Sequence, residues 1–146
     1  MNKKNYLIIV VGPTAIGKTA LAIELAKYFN TEITSCDSRQ FYKEMEIGTA
    51  VPNSEELNAA KHYFIQNKSI HNNYNVGDYE REVLPHLDAL FQQNNIQIVV
   101  GGSGLYVDAI LKGFDSFPDV DENIRTEIEQ KYDELGIEYL QNQLEK

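Results

Sequence analysis

Tyr6-Leu-Ile-Ile-Val-Val-Gly-Pro-Thr-Ala-Ile-Gly-Lys-Thr19 is the stretch that decides the fold. Its first six residues form a short, continuous, β-branched apolar run, the pattern of a parallel strand covered on both faces. Gly12 ends the run. Gly12-Pro13-Thr14-Ala15-Ile16-Gly17-Lys18-Thr19 then fits Gly-x-x-x-x-Gly-Lys-[Ser/Thr]. In such a loop the glycines let successive backbone N–H groups turn inward around a phosphate. A helix beginning at Lys18 adds the positive end of its dipole. Lys18 supplies a mobile cation for outer phosphate oxygens. The Thr19 hydroxyl is placed to hold Mg²⁺. A glycine turn that simply joins strand to helix is the plain alternative. The motif indicates a diphosphate or triphosphate without saying which, since kinases, nucleotide hydrolases and transferases with a diphosphate leaving group all use it.

Outward from this loop, strands and helices alternate. Lys18–Phe29 is predicted helical, with Leu21, Ile23, Leu25, Ala26 and Phe29 available for burial. Glu32–Cys36 is a second short strand, and Asp37–Pro52 an irregular loop. Asn53-Ser-Glu-Glu56 carries a capping pattern that starts a helix. Asp78–Gln93 is helical, with Pro85 as a kink or a first-turn residue. Ile96–Val100 is another buried strand, and Leu105–Leu111 the helix after it. The expected fold class is therefore α/β, a P-loop NTPase-like parallel sheet flanked by helices, with Tyr6–Val11, Glu32–Cys36 and Ile96–Val100 as inner strands. After Gly113 the texture changes to polar helices over Asp119–Leu135 and Ile137–Leu144. Residues 1–113 read as the P-loop α/β core and 114–146 as the start of a helical insertion at the C-terminal end, so that the chain looks truncated.

Composition narrows the classes. At 146 residues with 42% hydrophobic content, one core can form without staples. Cys36 is the only cysteine, which excludes an internal disulfide and makes a cytoplasmic setting the expectation. The apolar run at the start is too short to span a bilayer and lacks the flanks of a secretory signal. Net charge is −9, which argues against a general nucleic-acid binder. The acid load is uneven, however: residues 1–50 balance to +1, and residues 119–146 to −6. That distribution weakens the objection to a phosphate-rich partner without removing it.

Two further segments adjoin the loop. Asp37-Ser38-Arg39-Gln40 follows the second strand, and ligands of open α/β sheets sit at the carboxyl ends of strands. Asp37 there could hold a metal, take a proton from a nucleophile, or cap a turn. Arg39 and Gln40 have donors suited to a base or phosphate, with a solvated loop as the equal alternative. Gly101-Gly-Ser-Gly-Leu-Tyr106 opens a helix after a buried strand, where its amides could meet an anion or serve close backbone packing. His62, His71 and His86 lack metal-ligand spacing. Tyr63, Phe64, Tyr74 and Tyr79 read as core rather than as a stacking surface. Cys36 reads as a small buried apolar residue.

Taken together, Gly12–Thr19, Asp37-Ser-Arg-Gln-Phe-Tyr-Lys-Glu-Met-Glu-Ile-Gly-Thr-Ala-Val-Pro52 and Gly101–Tyr106 resemble the signature order of the tRNA dimethylallyltransferases. The resemblance implies a prenyltransferase with dimethylallyl diphosphate as donor and Mg²⁺ as cofactor. Its acceptor would be tRNA at the anticodon stem-loop, on N6 of the adenine adjacent to the anticodon, in tRNAs reading codons that begin with U. Gly12–Thr19 would hold the leaving diphosphate, with Lys18 and Thr19 part of the catalytic set. Asp37 would be the general base. Asp37, Ser38, Arg39, Gln40, Ser103 and Arg125 would touch tRNA, and residues 114–146 would begin a tRNA-binding insertion. A monomer is expected. Val51 stands where the family commonly has Lys, Ser103 where it usually has Thr, and the family continues well past Lys146. The rival readings are a small-molecule P-loop kinase, which needs an arginine-bearing lid; an isopentenyltransferase acting on free adenine nucleotides, which lacks the large insertion; and a docking module without catalysis.

Overall fold

A computed structural model describes residues 4–114 and 121–145. The chain divides into two compact units, Met1–Phe114 and Asp115–Lys146. The first holds β1 (Tyr6–Val11), α1 (Lys18–Phe29), β2 (Ile33–Ser35), α2 (Ser54–Ala59), β3 (His62–Tyr63), α3 (Val76–Gln93), β4 (Ile96–Gly101) and α4 (Gly104–Leu111). The four strands form one sheet in the order β1-β4-β2-β3, and every pairing is parallel. Parallel neighbours need crossovers, and the helices between strands supply them.

Strand alternation sends alternate residues to opposite faces. Val10, Ile33, Ile98 and Val100 pack with Ala22, Ile23 and Ala26 of α1. Val99 lies on the other face with Tyr79, Val83 and Leu87 of α3. Gln97, although buried at 1% exposure, is satisfied: its Oε1 accepts from Thr31 and its Nε2 donates to the Leu90 and Asn94 carbonyls. Phe41, Phe64, Tyr74, Tyr79 and Tyr106 meet ring against ring, which bears out the core reading of Phe64, Tyr74 and Tyr79.

Several boundaries and placements differ from expectation. β1 pairs only with β4 and ends the sheet, so it is an edge strand among the described residues rather than an inner one; Tyr6 and Val11 are correspondingly exposed. Leu21 also lies exposed, because Ala22, Ile23 and Ala26 face the sheet instead. α3 begins at Val76, not Asp78, because Asn75 and Asp78 form a reciprocal capping box. Pro85 sits in the middle of that helix, not in its first turn. The side chain is exposed and Arg81, four residues earlier, is exposed too, so the carbonyl freed by the missing N–H can be hydrated. β3 has no signal in the sequence beyond two residues, and it forms because Ile33 and Thr34 offer a ladder to His62 and Tyr63.

The second unit contains α5 (Glu122–Leu135) and α6 (Ile137–Leu144), joined at Gly136 with φ +73°. Asp121 caps α5 through the Asn123 N–H. Asp119 and Val120, expected in that helix, lie outside the described residues.

Candidate functional site

The loop between β1 and α1 bends through backbone conformations that side chains resist. Gly12 has φ +154° and Gly17 φ +93°, and a Cβ at Gly17 would meet nothing within 4 Å. Its requirement is thus for the dihedral, not for space. Ala15 also takes a positive φ, +63°. Gly17 is the N-cap of α1 and has no side chain with which to satisfy the first-turn amides, so they are available to a ligand. The Lys18 Nζ donates to the Pro13 carbonyl at 2.7 Å, which folds the ammonium back over its own loop.

Thr14, Ala15, Gly17, Lys18 and Thr19 line one side of a cavity of about 320 Å³. Asp37, Gln40, Ala50, Val51, Pro52, Glu56, His62, Ile65 and Val100 are among the residues that complete it. A second cavity of about 250 Å³ is lined by Thr14, Asp37, Ser38, Arg39, Gly48, Thr49, Gly102 and Ser103. Thr14 and Asp37 belong to both. Gly12, Pro13 and Ile16 line neither of these two; they shape the loop, and Ile16 is 67% exposed.

Asp37 is positioned from below. β4 closes on the end of β2 at Gly101, where a Cβ would come within 2.5 Å of Cys36 Sγ and 2.6 Å of the Cys36 carbonyl carbon and oxygen. The Cys36 N–H donates to the Val100 carbonyl at 2.8 Å. Cys36 is fully buried, and burial, helped by the neighbouring Asp37 charge, pushes its thiol up to about 12. It is an inert spacer, as its sequence suggested. Asp37 Oδ1 accepts from the Arg39 N–H at 3.1 Å, so the capping reading is realised by one oxygen. The other oxygen, Oδ2, lies against Gly102, close to where a Cβ at that glycine would stand.

The rest of the turn is tied internally. The Ser38 N–H donates to Ser103 Oγ at 3.0 Å, and the two hydroxyls are 3.1 Å apart. Gln40 Nε2 donates to the Thr49 carbonyl at 3.2 Å and the Ala50 carbonyl at 2.8 Å. Ala50 needs that hold: it sits at φ +51°, a conformation costing an L-residue roughly 1–2 kcal/mol. Arg39 is exposed and has no side-chain partner among the described residues.

The structure thus gathers Lys18, Thr19, Asp37 and Gln40 on the first cavity and Asp37, Ser38, Arg39 and Ser103 on the second. Arg125 belongs to the second unit, where its Nε donates to Glu129 at 3.0 Å within α5. The contributions of Glu56, His62 and Ile65 were not foreseen. They arrive through the α2–β3 crossover; Glu56 is marked in the sequence only as a helix cap, and no local motif marks His62 or Ile65. His62 Nδ1 lies 2.8 Å from the Ala60 carbonyl, while Nε2 is buried without a partner. Burial holds the ring below its ordinary range, with Glu56 opposing. Among the described residues no group of three or more His, Cys, Asp or Glu is arranged to hold a metal. No helix among them is long and apolar enough to cross a membrane.

The IPP transferase family model matches residues 40–146. The tRNA dimethylallyltransferase of Flavobacterium johnsoniae is 68% identical over 139 residues, covering 95% of this chain and 45% of that protein. The protein of the same name from Christiangramia forsetii is 54% identical over 140 residues, covering 96% and 46%. Among solved structures, the full-length tRNA isopentenylpyrophosphate transferase of Bacillus halodurans aligns with a TM-score of 0.73 at 35% identity, over 97% of this chain and 47% of that one. A eukaryotic dimethylallyltransferase acting on tRNA aligns with a TM-score of 0.71 at 26% identity, over 83% and 31%. The chain spans about half the length of the curated relatives it matches.

Proposed function

This chain belongs to the IPP transferase family, and from that premise we propose that it carries the reaction centre for moving a dimethylallyl group from dimethylallyl diphosphate to N6 of the adenine adjacent to the anticodon, in tRNAs reading codons that begin with U. The observation that carries the reading is the shared wall. Asp37 and Thr14 border both the cavity of the phosphate loop and the cavity lined by Ser38, Arg39 and Ser103. A donor on one side and an acceptor base on the other would meet at Asp37.

In this reading the loop amides and Lys18 hold the donor's diphosphate, for which Lys18 must leave the Pro13 carbonyl. Ala50, Val51, Pro52, Ile65 and Val100 give the same cavity an apolar wall for the five-carbon tail. The acceptor adenine must leave its stack to enter the second cavity. Its amine forms the new N–C bond as the allylic C–O bond breaks. Asp37 takes the proton, and charge developing on the departing diphosphate is met by Lys18 and the helix N-terminus. Thr19 fits Mg²⁺, since this ion takes few protein ligands and shares its shell with phosphate oxygens; bound there, Mg²⁺ would offset diphosphate charge. Arg39, Ser38 and Ser103 would face the RNA, with Arg125 and residues 114–146 as its further contacts. We take the working form to be a cytoplasmic monomer. The names of the relatives favour this reading over a small-molecule kinase or an isopentenyltransferase of free nucleotides.

The test is single-turnover transfer from labelled dimethylallyl diphosphate to tRNA with Mg²⁺, using the full natural protein. Asp37→Ala should slow transfer by about 10²–10⁴-fold, as loss of a general base does, with donor affinity nearly unchanged. Loss of donor binding with little change in the single-turnover rate would make Asp37 a metal ligand instead. Absence of transfer by the unmodified protein would remove the prenyltransferase reading.

A further inference from the structure

We propose that Gln40 is a positioning residue, a strut that sets both cavities at once, rather than a side chain that reads RNA. The inference rests on the two-cavity reading above and deepens it. The Gln40 carboxamide is already spent inside the protein. Its Nε2 donates both hydrogens, to the Thr49 carbonyl at 3.2 Å and the Ala50 carbonyl at 2.8 Å. Its Oε1 takes a longer contact from Ser35 Oγ at 3.4 Å. Two carbonyl acceptors require the NH₂ end at that position, so the amide orientation follows from the chemistry. Both donors are thereby committed, so Gln40 cannot donate to a base edge without breaking the loop's support.

What the carboxamide holds explains why it matters. Gly48 and Thr49 line the second cavity, and Ala50, Val51 and Pro52 line the first. The segment between them passes through two left-handed residues, Gly48 at φ +81° and Ala50 at φ +51°. Ala50 is not a residue that adopts this conformation unaided, so an external restraint is needed. The Thr49 hydroxyl supplies a local one, to the Met45 carbonyl at 2.5 Å and the Glu46 carbonyl at 3.2 Å. Gln40 supplies the only hydrogen bonds found among the described residues that tie Thr49 and Ala50 to the turn bearing Asp37. One side chain therefore sets the distance between the catalytic turn and a wall of each cavity.

The experiment compares Gln40→Met, which keeps the length and loses both donors, with Gln40→Glu, which keeps the shape and places acceptors against two carbonyls. Each is assayed in the full natural protein. KM for dimethylallyl diphosphate and KM for tRNA should rise together, by roughly five- to tenfold in Gln40→Met and further in Gln40→Glu, as expected for the loss of two backbone-directed bonds. The affinity for inorganic pyrophosphate, which in the proposed reading is held by the loop of residues 12–19, should stay within about twofold of wild type, and kcat should change least. Hydrogen exchange over residues 46–52 should quicken in both variants. A rise in KM for tRNA alone, with unchanged exchange at 46–52, would make Gln40 an RNA contact and overturn the proposal. Parallel loss of pyrophosphate affinity would show general disruption and would overturn it too. If wild type transferred no prenyl group, the functional reading would fail, while exchange at 46–52 and pyrophosphate binding would still decide the strut.

Discussion

Gly101→Ala tests the joint on which the site rests. A Cβ at this position would stand 2.5 Å from Cys36 Sγ and 2.6 Å from the Cys36 carbonyl carbon and oxygen. Carbon contacts are comfortable only from about 3.5 Å outward, so the overlap is roughly 1 Å. Most of it is against backbone, which cannot rotate away. The Cys36 N–H is bonded to the Val100 carbonyl at 2.8 Å, so relief requires the ends of β2 and β4 to separate. Overpacking of a tight core costs about 1–3 kcal/mol, and a backbone clash at a fully buried position belongs at the upper end. At about 2–4 °C per kcal/mol, the melting temperature should fall by roughly 6–12 °C. Asp37 follows Cys36 directly, so a displacement of the order of 1 Å should also slow single-turnover transfer by about 10²-fold. Calorimetry and the transfer assay read the two effects. Gly102→Ala is the control for stability alone, since its Cβ would meet Asp37 Oδ2 at 3.6 Å and the Gly12 carbonyl at 3.7 Å, ordinary contacts, while still lining the acceptor cavity. Adding Cys36→Ala to Gly101→Ala should restore only part of the stability, because the carbonyl overlap remains. A Gly101→Ala protein with wild-type melting and rate would refute the reasoning. Full rescue by Cys36→Ala would show that the sulfur, not the backbone, sets the limit.

Other outcomes follow from single features. Lys18→Ala should weaken pyrophosphate binding by roughly ten- to a hundredfold, the worth of one charge-assisted contact; equal affinities by calorimetry would contradict the role given to Lys18. His62 and His86 are held below their ordinary value near 6.5 by burial. The unfolded chain therefore takes up protons first, and stability should fall as pH drops from about 7 through 6.5 and below. The slope in melting temperature should flatten in His62→Gln combined with His86→Gln, and an unchanged slope would place the dependence elsewhere. Asn75→Ala removes the acceptor for the Gly77 and Asp78 N–H groups and should cost about 1 kcal/mol of stability, seen as an earlier urea midpoint with an unaltered slope.

What sequence alone determined here is what depends on near neighbours along the chain. The strand over Tyr6–Val11, the positive φ of Gly12 and Gly17 and the Asn53–Glu56 cap are all written within a few residues of where they act, and the structure forms each of them, although it sets the strand at the sheet edge. The three motif blocks also led to the family before any coordinates did, since their order is specific even though the phosphate loop is not. Tertiary structure decided the rest, because it depends on pairing across long separations. β1 stands at the sheet edge because β4, ninety residues later, takes only one of its sides. β3 exists only because β2 offers it a ladder. Gln40 carries donors fit for an RNA base in any sequence reading, yet the fold brings Thr49 and Ala50 to it first. Gly101 reads equally as part of an anion loop or as a site of close backbone packing, and only the end of β2 pressed against it decides for packing. Local dihedral preference and periodicity are encoded in composition and spacing. Close approach and hydrogen-bond competition arise only when distant segments share the same few ångströms.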